Sequence, residues 1–143
     1  MKIERFFLIT MMATIGAALA VLTLPNSHAD STTATTQKGW YTAVQANRGH
    51  QLFNNYCAQC HMPDLTGAMG PALKGQQFLS AWGTRTLGDL LLFEHQNMPA
   101  NNPGSVSDKQ LSDITAYILK KNGFPAGKTP LVKGAGNTRV LNP

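Results

Sequence analysis

The sequence predicts an all-α fold of four to five helices, on three observations. Apolar residues recur at helical spacing in the segments around Phe53, Leu90 and Ile114. Two of these segments open on a capping pair, Thr86 with Asp89 and Ser107 with Gln110, in which each side chain accepts the other residue's backbone N–H. No stretch of the 143 residues alternates apolar and polar residues long enough to make a half-buried strand. That length suits one domain and is short for two.

Residues 1–29 stand apart from that domain. Lys2 and Arg5 make a basic start, a mostly apolar run extends from Phe6 to Leu24, and Ser27-His28-Ala29 puts small residues at the two positions a signal peptidase reads. This is the layout of a cleaved secretory signal peptide and predicts an exported, periplasmic protein. An uncleaved anchor is the other reading, because the apolar run approaches spanning length. The small-x-small site favours cleavage. No later segment is apolar enough to cross a bilayer, so no stable membrane insertion is expected after cleavage. Beyond residue 29 there are ten Lys or Arg against six Asp or Glu. They are scattered, with Lys120-Lys121 the one doublet, so a solvated surface is expected and nothing favours nucleic acid as a partner.

Residues 30–38 are polar and low in complexity. A flexible leader is expected over 30–42, ahead of a folded domain over 43–125. The first helix is predicted over Ala43–Asn55, with Val44, Leu52, Phe53 and Tyr56 as its apolar positions and Gly49 as an interruption. Met62 to Gly75 is rich in Gly and Pro and reads as loop. A short helix follows over Gln76–Trp82. The next runs from Leu87 to Gln96, where Leu87, Leu90, Leu91 and Glu94 fall on neighbouring turns. Asn97 to Ser105 holds Pro99, Pro103 and Gly104 and cannot be regular helix. The last helix starts at Ser107 and carries Leu111, Ile114, Tyr117 and Ile118. Lys120 and Lys121 suit the negative end of its dipole, Gly123 stops it, and Pro125 lies just beyond. Residues 126–143 show no periodicity and are expected to be an extension that wraps the surface or is partly mobile.

The chemistry sits after the first helix. Cys57 and Cys60 are the two cysteines. A disulfide is the ordinary expectation for an exported pair, but one closing so small a loop constrains the unfolded chain little. Cys57-Ala58-Gln59-Cys60-His61 is a C-x-x-C-H sequence, the signal for covalent haem c attachment. Two thiols one helical turn apart reach the two vinyl groups of one porphyrin, and the adjacent histidine supplies the proximal iron ligand. A thioredoxin-like site needs an α/β pattern that is absent. A structural zinc site needs two further ligands that are also absent.

The sixth ligand decides between electron transfer and small-molecule chemistry. Three methionines follow residue 29: Met62, Met69 and Met98. Met62 adjoins His61 and is held on the wrong side of the ring. Met69 follows His61 by eight residues, a short path around a haem. Met98 follows by 37, in a Pro-rich loop between two helices, and is the expected ligand. The competing role is the usual one for methionine, filling core. His95 could also ligate iron but is expected at a helix end near the haem edge. His50 is expected on the surface of the first helix.

At these residues the chain resembles a class I c-type cytochrome, over about Ala46 to Leu119. The resemblance rests on Gly49-x-x-x-Phe53, Cys57-x-x-Cys60-His61, Gly70-Pro71-x-Leu73, Met98-Pro99 and Ala116-Tyr117-Ile118-Leu119. It implies a single haem held by Cys57, Cys60, His61 and Met98. It implies that Gly49 and Phe53 meet the Tyr117 region where the terminal helices cross, and that the Pro71 carbonyl orients the His61 imidazole. Trp82 is either a propionate contact or plain core. A narrower likeness joins Met98-Pro99, Pro103 to Ser107, Asp113 to Leu119 and Asn122 to Gly127. Together they are similar to the small cytochromes that serve quinoprotein (PQQ-dependent) alcohol or sugar dehydrogenases. That likeness implies a monomeric one-electron carrier, not an enzyme, with such a dehydrogenase as donor and an oxidase or another cytochrome as acceptor. The alternatives are a fixed cytochrome subunit of a dehydrogenase complex and a small haem peroxidase. For the last, no distal His/Arg pair is visible.

Overall fold

The computed structural model describes residues 39–134 and 138–143. The expected signal peptide, and most of the expected leader, lie outside the described residues. Five helices follow in order: α1 (Ala43–Tyr56), α2 (Ala58–His61), α3 (Gly75–Trp82), α4 (Leu87–Asn97) and α5 (Asp108–Lys121). Among the described residues there is no strand, only two isolated bridges, Tyr41 with Ala126 and Thr86 with Val140. No described helix is long and apolar enough to cross a membrane.

The capping signals act as expected. Ser107 and Gln110 close a full capping box on α5, and Thr86 and Asp89 close one on α4. Gly123 ends α5 at φ 81°, which lets the Phe124 N–H turn back to Leu119 O at 3.1 Å. α5 is the central element. Every residue from Leu111 to Leu119 is buried, because α1, α4 and a large cavity surround it.

α1 packs across α5 on a face that its apolar pattern marks only in part, at Phe53. Val44 is 65% exposed and Tyr56 40%, while the buried stripe is Gln45, Ala46, Gly49 and Phe53. Close approach is the reason. A Cβ on Gly49 would fall on the Asp113 carbonyl, so the two backbones touch where a side chain would hold them apart. Phe53 meets Tyr117 beside this point, ring centroids 5.5 Å apart. The polar members of the interface are paired. Arg48 donates two bonds to the Asp113 carboxylate, each 3.0 Å. Burial opposes ionisation of Asp113, but Arg48, Gln45 and Lys109 outweigh it and hold its carboxyl below the usual range.

The described segments before α1 and after α5 also reach the core. Trp40 and Tyr41, placed in the leader, are buried. Trp40 packs edge-on against Phe124 at 4.9 Å, and the Tyr41 hydroxyl donates to Phe124 O at 2.8 Å. The segment after Ala126 buries Leu131 and Leu141. Gln45 binds both polar groups of Leu131, donating at 2.6 Å and accepting at 2.8 Å. Near the end, Leu87 N–H donates to Arg139 O and Leu141 N–H to Arg85 O, both at 2.9 Å. The segment lacks periodicity because its partners are distant loops and caps rather than a repeating surface.

Candidate haem-binding site

Cys57 ends α1 and opens α2. Its N–H closes on Phe53 O at 2.8 Å, and its own carbonyl accepts from Cys60 and His61 at 3.1 and 3.0 Å. One turn therefore puts Cys57, Cys60 and His61 on neighbouring positions of one face. All three line a cavity of about 1010 Å³, at the large end of ordinary ligand pockets. No disulfide joins Cys57 to Cys60. Burial, then the nearby Glu94 and Cys60, push the Cys57 thiol up to about 12.

His61 is buried, and its Nδ1 lies 2.8 Å from Pro71 O. A carbonyl only accepts, so Nδ1 carries the hydrogen and Nε2 keeps a free lone pair. The loop that brings Pro71 here is tied to the attachment turn. Gly67 N–H donates to His61 O at 3.0 Å and Gly70 N–H to Cys60 O at 2.9 Å. Gly70 lies flat against the imidazole. A Cβ there would stand 2.6 Å from Cε1 and 2.8 Å from Nδ1, closer than a carbon can sit.

Met98 lines the same cavity. It is the C-cap of α4, extended at φ −123° and ψ 147°, with its N–H on Glu94 O at 2.9 Å. Of the other two methionines, Met62 is not in the wall and Met69 is in it but 74% exposed. His50 is exposed and stacks on Tyr117 at 4.7 Å. The Nδ1 of His95 faces Asp108 Oδ1 at 3.1 Å. Neither histidine lines the cavity. Trp82 does, buried, with Phe93 edge-on at 5.3 Å and the Arg85 guanidinium 4.7 Å above its ring.

The sequence reading missed Glu94. It was assigned to the apolar face of α4, yet it is a buried carboxyl in the cavity wall. Burial pushes its pKa up to about 8, against the opposing pull of a hydrogen bond from Thr115. The available signal was a charge at a core-facing position, after Leu87, Leu90 and Leu91.

These donors fit a haem. Two free thiols flank an imidazole whose outer nitrogen is already committed, the missing Gly70 Cβ leaves that ring room, and the rest of the wall is largely apolar. Among the described residues no group of three or more His, Cys, Asp or Glu is arranged to hold a bare metal ion.

Residues 44–118 match the family described as cytochrome c oxidase, cbb3-type, subunit III. Over 107 residues the chain is 29% identical to cytochrome c-551 of Bacillus subtilis (strain 168), covering 75% of this chain and 91% of that protein. Among solved structures, it is similar in fold to the sulfane dehydrogenase SoxCD from Paracoccus pantotrophus. The TM-score is 0.52 and the identity 24%, over 67% of this chain. The chain spans about half, 52%, of that structure's chain.

Proposed function

The chain belongs to the cytochrome c family and is a haem-based electron carrier, and from that premise we propose the following site and partners. Cys57 and Cys60 would hold one haem c covalently, and His61 and Met98 would bind its iron. The protein is exported, works as a monomer, and relays single electrons from a quinoprotein dehydrogenase to an oxidase or a second cytochrome.

The observation that carries this reading is the convergence of both thiols, the oriented imidazole and Met98 on one cavity. Haem supplies a reversible one-electron couple when bound. The chain's residues do the rest. Cys57 and Cys60 fix the porphyrin at two points on a single turn. Pro71 O keeps the hydrogen on His61 Nδ1, so Nε2 is always ready to bind and the ring cannot rotate away. Met98 offers a soft thioether, which raises the potential relative to an open site and bars other ligands. Leu90, Leu111, Ile114 and Ile118 keep water from the site. Export is supported by the three-part pattern of residues 1–29. The quinoprotein donor is supported by the Met98-Pro99 to Gly127 motif series. Exposed Tyr56 and Met69, which also line the cavity, suit a small and transient docking contact.

Absorption spectroscopy of the purified protein tests the site. The haem should resist extraction by acid acetone, and the oxidised form should show the weak far-red sulfur-to-iron band. Met98→Ala is expected to keep the haem attached, lose that band, lower the midpoint potential and bind carbon monoxide when reduced. Retention of the band in Met98→Ala would remove Met98 from the site. Peroxide turnover by the unaltered protein would favour the peroxidase reading instead.

A further inference from the structure

Glu94 is a buried carboxyl in the cavity wall to which electron transfer assigns no role. Its side chain is in the cavity wall beside Met98. Its Oε2 lies 2.5 Å from Thr115 Oγ1 on α5, and Thr115 Oγ1 also reaches Leu111 O at 2.8 Å. Among the described residues no cation pairs with this carboxyl. A leucine at the same position would bury without cost, whereas a carboxyl is costly inside unless hydrogen-bonded. Burial of the α4 face therefore does not explain why the position is Glu.

Its place along the chain does. Glu94 O accepts the Met98 N–H at 2.9 Å, so the final turn of α4 is carried from Glu94 to Met98 as one unit. Beyond Met98 the chain leaves the helix for the Pro99–Ser105 loop, which offers no helical constraint. The contact between α4 and α5 is modest beside that between α1 and α5. Leu90 and Leu91 add burial to it, but apolar contact has little direction, and a hydrogen bond fixes distance and angle. We infer that the Glu94–Thr115 hydrogen bond ties the last turn of α4 to α5 and thereby sets where the Met98 sulfur sits. Glu94 is then a positioning residue, and the inference rests on the reading of Met98 as an iron ligand.

The test separates positioning from stability. In Glu94→Leu/Thr115→Val both partners become apolar at similar size, a change that leaves stability nearly neutral or improved. The holoprotein of that double variant is expected to melt no lower than the unaltered protein. It should nevertheless lose most of its far-red band and begin to bind carbon monoxide in the reduced state. Glu94→Gln keeps a group able to bond Thr115 and should keep both properties. Thr115→Val alone leaves the Glu94 carboxyl buried without that partner, so it should melt lower and also lose part of the band, and it gives a reading if the double variant does not fold. A full band and no carbon monoxide binding in the double variant, or in Thr115→Val if that alone folds, would overturn the inference. Met98→Ala run in parallel locates the failure. If it loses the band while the Glu94 and Thr115 variants keep it, only the tie is wrong. If it too keeps the band, the ligand assignment is wrong.

Discussion

At the scale of single residues, the proximal geometry depends on an atom that no substitution can delete, the Pro71 carbonyl. Gly70 is the practical handle on it. A methyl at Gly70 would enter the His61 ring at 2.6 Å from Cε1, so the imidazole or the loop must move. Overpacking of this kind costs about 1–3 kcal/mol. Gly70→Ala is expected to weaken the 2.8 Å bond between Nδ1 and Pro71 O. That bond makes the imidazole a better electron donor, so its loss should raise the midpoint potential in a redox titration, with haem still attached. Gly75→Ala is the control. Gly75 sits at φ 65° with nothing within 4 Å of a Cβ, so its alanine should cost stability, roughly 1 kcal/mol or more, and leave the potential alone. Cys57, Cys60 and His61 were legible in the sequence because their geometry is one helical turn. The Pro71 contact was legible only through family resemblance, since the loop that delivers it obeys no local rule. Glu94 was legible only as a charge on a core-facing stripe, because its partner is Thr115, 21 positions away on another helix.

At the scale of elements, the crossing of α1 and α5 turns on Gly49. Alanine there would gain about 1 kcal/mol of helix propensity. It would also drive a methyl onto the Asp113 carbonyl, a rigid backbone atom, and force apart helices that the Arg48–Asp113 pair holds together. The clash outweighs the propensity, and Gly49→Ala is expected to destabilise the fold by about 1–3 kcal/mol net. For a domain near 100 residues, each kcal/mol lowers Tm by about 4–8 °C, so a calorimetric scan decides the sign. An unchanged or higher Tm would mean the helices do not rely on that close approach. The same helix shows where sequence reading stops. Helix bounds were legible because caps and breakers are local: Thr86, Ser107 and Gly123 each act within a turn. The buried face of α1 was legible at Phe53, and at Gly49 only through the family resemblance, because glycine and glutamine carry no apolar signal. Gln45 is buried only because Leu131, 86 positions later, satisfies both ends of its amide. The anchoring of the final segment was not legible for a like reason. Its anchors, Leu131 and Leu141, are single residues with no period to detect.

At the scale of the whole molecule, the cavity is bounded by residues from all five helices and the loops after α2 and α4. The extensive helix packing is α1 on α5, and α3 packs extensively on no other helix. A group that spans about 1010 Å³ therefore supplies contacts that direct helix packing does not. The lining side chains then depend on that group for their dispersion contacts, in a domain whose whole stability is only about 5–15 kcal/mol. A Cys57→Ala/Cys60→Ala chain, unable to attach haem, is thus expected to keep helical far-ultraviolet dichroism, since caps and propensity remain. It should lose near-ultraviolet signal from Trp82 in the cavity wall and melt without a sharp transition. A native near-ultraviolet spectrum with a cooperative melt would show that the helices hold this arrangement unaided. In that case His61 and Met98 form a pre-set clamp, and attachment of the haem would add chemistry to a finished fold rather than complete it.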